Sequence, residues 1–173
     1  MDYFFEFLQI ILDYFLKIDA IVALVIGYLF ARWQFKFESI HKRRLEVIEE
    51  AYSKLKLANR SFQSLANPLQ EVGDLTENEK EKDFIDKANS MFIYLDTKKL
   101  FFSSNEQKNI KIITDKFFQT WNDYRYKKDI KDDPSLLKER TCLYKKIWNS
   151  VSKEIPEIIS SLETVFKKSL GLK

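Results

Sequence analysis

The sequence predicts an all-α protein, an N-terminal transmembrane helix followed by a cytoplasmic four-helix bundle. Three observations predict it. Glycine and proline number only three each in 173 residues, so turns are few and elements are long. Apolar residues recur at helical spacing along the chain, with no run that reads as a strand pair and no internal repeat. Residues 20–31 carry no charge and sit between an acidic start and a basic continuation. The expected division is residues 1–33 as a transmembrane and oligomerisation helix and residues 34–173 as the bundle.

The first element reads YFFEFLQIILDYFLKIDAIVALVIGYLFA from Tyr3 to Ala31. Its uncharged part is too short alone, because a helix needs about 20 residues to cross the hydrocarbon. The crossing must recruit a segment containing Asp13, Lys17 and Asp19. Seventeen Leu, Ile, Val and Phe residues lie between Phe4 and Phe30. At about −0.5 kcal/mol each they favour insertion by roughly 8 kcal/mol, while each central charge costs ~3 kcal/mol. A lone helix comes out near zero, so the charges need shelter.

Their spacing suggests the shelter. At 100° per residue, Asp2, Glu6, Gln9, Asp13, Lys17 and Ala20 share one side, and Phe4, Phe7, Leu8, Ile11, Phe15, Ile18 and Val22 face the other. Asp13 and Lys17 stand four apart with the acid first, the favourable order for a helical ion pair. Asp19 falls on the apolar side and breaks the pattern. Ala23, Gly27 and Ala31 form a small-residue ladder that lets membrane helices approach closely. The expectation is a ring of identical helices in which Glu6, Gln9, Asp13, Lys17 and Ala20 line a lumen. The small residues would pack on neighbours and the aromatics would face lipid. A helix lying flat on the membrane is disfavoured by its acidic polar face, and a cleaved signal peptide by the lack of a base before Lys17.

Residues 1–31 hold one base and four acids, so the remainder carries 28 bases and 22 acids, a net of +6. Arg32, Lys36, Lys42, Arg43 and Arg44 crowd the exit of the apolar stretch, opposed only by Glu38. The positive-inside rule puts the N-terminus outside and the C-terminus in the cytoplasm, across a bacterial inner membrane. The same bases are placed to meet anionic lipid headgroups, and Tyr28 and Trp33 suit an interfacial aromatic belt.

The bundle follows. Ile40, Ile48, Ala51, Tyr52, Leu55, Phe62 and Leu65 recur at helical spacing up to Pro68, with no breaker between Ala31 and Ile40. Residues 69–76 read as a loop. Thr76 and Glu79 form a capping box for a second helix carrying Phe84, Ile85, Ala88, Met91, Phe92 and Leu95. Ser104 and Gln107 are expected to start a third, with Ile110, Ile113, Phe117, Trp121 and Tyr124 on one face. Asp133-Pro134 opens a fourth, with Leu137, Tyr144, Ile147, Trp148 and Val151, and Pro156 should kink or split it before Ile159, Leu162 and Phe166.

The chemistry is sparse. His41 is the only histidine, so multi-histidine zinc sites are excluded, and in SIHKRR it reads as a solvated juxtamembrane side chain instead of a triad base. Gly27, Gly73 and Gly171 stand alone, so there is no phosphate-binding glycine loop. The lone Cys142 fits a reducing compartment. Glu77, Glu79, Glu81 and Asp83 alternate with lysines as a solvated face does. Arg125-Tyr126-Lys127-Lys128 and Lys167-Lys168 are too short to mark an RNA surface, so direct nucleic-acid binding is not expected. No catalytic residue, metal or cofactor is expected, and no enzymatic activity.

The layout resembles the small membrane accessory proteins found beside RNA-targeting nucleases in type VI-B CRISPR loci. The shared features are length, the single N-terminal span Tyr3–Ala31, the basic exit ARWQFKFESIHKRRLEVIEEAY and a helical bundle rich in Lys, Phe and Ile. The resemblance implies a membrane pore that strengthens antiphage defence, with an RNA-guided nuclease or another cytoplasmic defence protein as partner. Some of that family were suggested to carry a divergent HEPN nuclease motif, whose histidine this sequence lacks. The leading expectation is a homo-oligomeric pore acting as a defence effector or enhancer. The alternatives are a membrane-tethered module binding a cytoplasmic protein, and an RNA-binding helical domain at the membrane.

Overall fold

The low glycine and proline content gives long helices in the computed structural model, which describes residues 2–67, 69 and 75–171, with side chains from residue 22 onward. Helix α1 spans Asp2–Ala66, α2 Glu77–Thr97, α3 Ser104–Asp129, α4 Leu137–Asn149 and α5 Ile155–Ser169. Two short 3₁₀ turns (Lys99–Phe101 and Pro134–Leu136) and a π turn (Ser150–Glu154) complete the order. The chain forms two compact units, Met1–Arg44 and Leu45–Lys173.

In the second unit the helices bury one shared core. The face of α1 presents Ile48, Ala51, Leu55, Ala58, Phe62 and Leu65, alternating steps of three and four residues, all buried. Ala51, Ala58 and Phe62 have no exposed surface, and Phe62 is the largest side chain of that face. It stacks on Phe84 at 4.1 Å between ring centroids and meets the edge of Trp121 at 6.2 Å. Phe84, Ala88, Met91 and Leu95 come from α2, and Ile110, Ile113, Phe117 and Tyr124 from α3. Ile147, Ile155, Ile159, Leu162 and Phe166 come from α4 and α5. Ile40, which shares the sequence periodicity, is 65% exposed, and the core begins at Val47.

The helix ends follow local chemistry. Helix α1 stops at Ala66, two residues before Pro68, which has no N–H to continue it. Asn67 Oδ1 then accepts from the Leu69 N–H at 3.0 Å. Thr76 caps α2 through the expected box with Glu79. Helix α3 begins at Ser104, as expected, and its capping pair lies one residue upstream of Ser104 and Gln107. Its cap is Ser103 with Glu106, not Ser104 with Gln107. Glu106 is buried, and its second oxygen accepts from the Ser169 hydroxyl of α5, which ties the cap of α3 to the end of the last helix.

Pro156 splits the last helix, through a π turn just upstream. The Ile155 N–H bonds Ser150 O instead of Val151 O. Pro156 has no N–H to offer Val151 O, and Gln63 Nε2 donates to that carbonyl at 2.7 Å from α1.

Among the described residues no helix is long and apolar enough to cross a membrane. Of the expected span Tyr3–Ala31, only residues 22–31 have described side chains. Ten residues cover about 15 Å, half the hydrocarbon thickness.

Candidate functional site

The proposed lumen residues Glu6, Gln9, Asp13, Lys17 and Ala20 lie on α1, but their side chains are outside the described residues. The rest of the candidate site is visible. Every residue from Val22 to Arg43 is exposed. Eleven of them are large and apolar: Val22, Leu24, Val25, Ile26, Tyr28, Leu29, Phe30, Trp33, Phe35, Phe37 and Ile40. Ala23, Gly27 and Ala31 are exposed too, four residues apart on one face. A Cβ built on Gly27 meets nothing within 4 Å, so nothing within this chain requires glycine there. Glycine inside a helix costs about 1 kcal/mol relative to alanine.

Aromatic rings run along α1 as a ladder. Phe30 meets Trp33 at 6.4 Å, Trp33 stacks on Phe37 at 5.8 Å, and Phe37 stacks on His41 at 6.0 Å. Arg32, Lys36 and Lys42 are exposed among them, Arg43 is exposed as well, and Arg44 is half-buried. Gln34 donates to Glu38 at 3.1 Å. This segment therefore combines an unburied apolar surface, a glycine without an internal packing role, and basic side chains.

No family model, curated protein or solved structure matches this chain. Function must be read from the residues themselves.

The second unit contains a cleft that sequence reading did not assemble. It has a volume of about 480 Å³ and is lined by Glu77 at the start of α2, Lys127, Lys128 and Lys131 near the end of α3, and Leu137, Arg140, Thr141 and Tyr144 of α4. The basic run Arg125-Tyr126-Lys127-Lys128 is divided by helical geometry. Arg125 is exposed, the Tyr126 hydroxyl donates to Glu139 at 3.1 Å, and Lys128 pairs with Glu81 at 2.5 Å. Lys127 alone turns over two rings, 4.8 Å from the centre of Tyr124 and 5.9 Å from that of Tyr144. Burial depresses its pKa; Glu77 opposes that shift, and the like charges of Lys131 and Arg140 add to it. The Tyr144 hydroxyl is shielded from solvent and has no hydrogen-bond partner, and burial pushes its pKa up.

Beside α2 and α3, a small apolar groove of about 130 Å³ is lined by Phe84, Phe92, Phe117, Phe118 and Trp121 among others. Among the described residues no group of three or more His, Cys, Asp or Glu converges as a metal site would. The Cys142 thiol is free and exposed.

Proposed function

We propose that α1 embeds the protein in a bacterial inner membrane and assembles copies of it into a pore, with residues 34–173 as a cytoplasmic helical bundle. The observation that supports this reading is the run of eight exposed large apolar residues between Val22 and Trp33. At roughly 1.5 kcal/mol each, leaving them in water costs on the order of 12 kcal/mol relative to burial. Lipid, or lipid together with neighbouring copies, removes that cost. The apolar sequence upstream supplies the length that residues 22–31 lack. Gly27 supports close helix approach between copies, since its neighbourhood within one copy is empty. In the reading by resemblance, the pore disturbs the membrane during antiphage defence, alone or with an RNA-guided nuclease, and catalyses no reaction. The apolar groove beside Phe118, which is 57% exposed, favours a second reading, a tethered module that grips a cytoplasmic protein without conducting.

Conduction separates the two. In planar bilayers under voltage clamp, the purified protein should pass current, and Glu6→Lys should move the reversal potential toward anions, because one substitution changes a whole ring of charge. Phe15→Leu, on the opposite side of the helix, should leave it in place. Native mass spectrometry of the same preparation should show an oligomer that Gly27→Leu reduces. A monomer would end the pore reading. An intact oligomer that passes no current, with and without an added partner, would leave the tether.

A further inference from the structure

We propose that the cleft between the start of α2, the end of α3 and the start of α4 binds a small phosphorylated ligand, with Lys127, Lys131 and Arg140 taking the phosphate and the Tyr144 hydroxyl donating to it. The turn at Ile130–Leu136 folds α4 back against α3, so bases about ten residues apart in sequence line one cavity. Its volume of about 480 Å³ lies within the range of small-molecule sites. Four of its lining residues are cationic and one, Glu77, is anionic.

The partners of these charges are uneven. Lys128 is neutralised by Glu81, and Glu77 accepts from the Tyr124 hydroxyl at 3.0 Å. Lys127, Lys131 and Arg140 make no ion pair among the described residues, whereas Lys116, Lys146 and Lys167 elsewhere in the bundle do. Holding three like charges around one cavity, with Lys127 and Arg140 half-buried, is unfavourable until an anion enters. Arg140 bonds the carbonyl of Lys131 through Nη1, which anchors the guanidinium fork and leaves further N–H groups for an anion. The shielded Tyr144 hydroxyl, a donor without an acceptor, gains one from the same ligand. Three converging cations and one hydroxyl suit the three terminal oxygens of a phosphate better than a planar carboxylate. The charges meet in a cavity and do not extend along a helix face, so a compact ligand fits better than an RNA strand.

Calorimetric titration of the full-length protein in neutral detergent with inorganic pyrophosphate tests this. Saturable binding below about 1 mM is expected at low salt. Arg140→Gln and Lys127→Met should each weaken it by tenfold or more, and Tyr144→Phe by about tenfold, the worth of one hydrogen bond to a charged group. Lys111→Gln, about 24 Å away along α3 from Lys127, should leave it unchanged. Circular dichroism of each variant checks folding. Phosphate on a lipid headgroup is the other source of the same chemistry. There, flotation with phosphatidylcholine vesicles should gain an increment from added phosphatidic acid, part of it supplied by the bases from Arg32 to Arg44, and Arg140→Gln should reduce that increment while Lys111→Gln leaves it unchanged. Cleft-dependent binding in either arm supports the site and tells the sources apart. The proposal is overturned by no binding in both arms, by binding that Lys111→Gln weakens as much as the cleft variants do, or by cleft-dependent binding of single-stranded RNA alone.

Discussion

Leu24 and Leu55 are the same residue on the same helix, yet Leu24 is 74% exposed and Leu55 is fully buried. From Val47 onward, α1 shares one buried core with α2, α3, α4 and α5, and its apolar face alternates in steps of three and four. From Val22 to Arg43 the large apolar residues spread over about two-thirds of the helix circumference, leaving one side to Ala23, Gly27 and Ala31, and all of them are exposed. A buried stripe is the pattern of a helix whose partners lie in the same chain, and a broad apolar surface left exposed is the pattern of a helix whose surroundings come from elsewhere.

The largest expected effect would break that contrast most directly. Phe62→Ala should cost the bundle about 3–5 kcal/mol, since Phe62 is fully buried among Phe84, Phe117, Trp121 and Tyr124. Phe35→Ala, at a side chain 73% exposed, should leave bundle unfolding within about 0.5 kcal/mol. Chemical denaturation followed by circular dichroism measures both, and a Phe35→Ala loss as large as that of Phe62→Ala would erase the distinction.

A smaller effect tests how α1 is tied to the last helix. Gln63→Ala should cost about 1–2 kcal/mol, because Val151 O loses its donor at a turn where Pro156 offers none. The same measurement checks it, and an unchanged midpoint would show that this carbonyl is satisfied by solvent.

The smallest effect concerns pH. Lys87 and Ser61 hold the Asp83 carboxyl below the ordinary range, Lys116 does so for Glu154, and Lys167 with Tyr52 for Glu163. Folded pKa values below unfolded ones stabilise the bundle above about pH 4.5, and that contribution is lost as pH falls through the folded values. Each carboxylate side chain is about a third or more exposed, so each pair contributes less than about 1 kcal/mol. Thermal melts across pH 3–7 should show the loss, and Glu154→Gln should flatten the slope slightly.

What the sequence made legible was local. Thr76 and Glu79 identify a cap by their own spacing, and Pro68 and Pro156 mark a stop and a break by a missing N–H. Ser103 and Ser104 each have a carboxylate or amide three residues on, and the bond from the distant Ser169 to Glu106 lies outside that local pattern. Lys127, Lys131, Arg140 and Tyr144 were scattered over 18 residues, with Glu77 some 50 residues upstream, so no linear motif gathered them. The candidate lumen residues depend on a helical wheel whose side chains fall outside the described residues, and nothing among the described residues packs on Gly27 to reveal what the small-residue ladder fits.

The wide turn at Ser150–Glu154 also keeps count. Leu143, Ile147, Val151, Ile155 and Ile159 step by four residues each time, and all face the same core. At 3.6 residues per turn, four such steps overshoot by about 160°, which would carry Ile159 to the far side of the helix. One extra residue absorbed in the π turn cuts that drift to about 60°. The turn acts as a leap day in a calendar of fours, inserted next to the proline that makes it necessary, and Gln63 holds it in place.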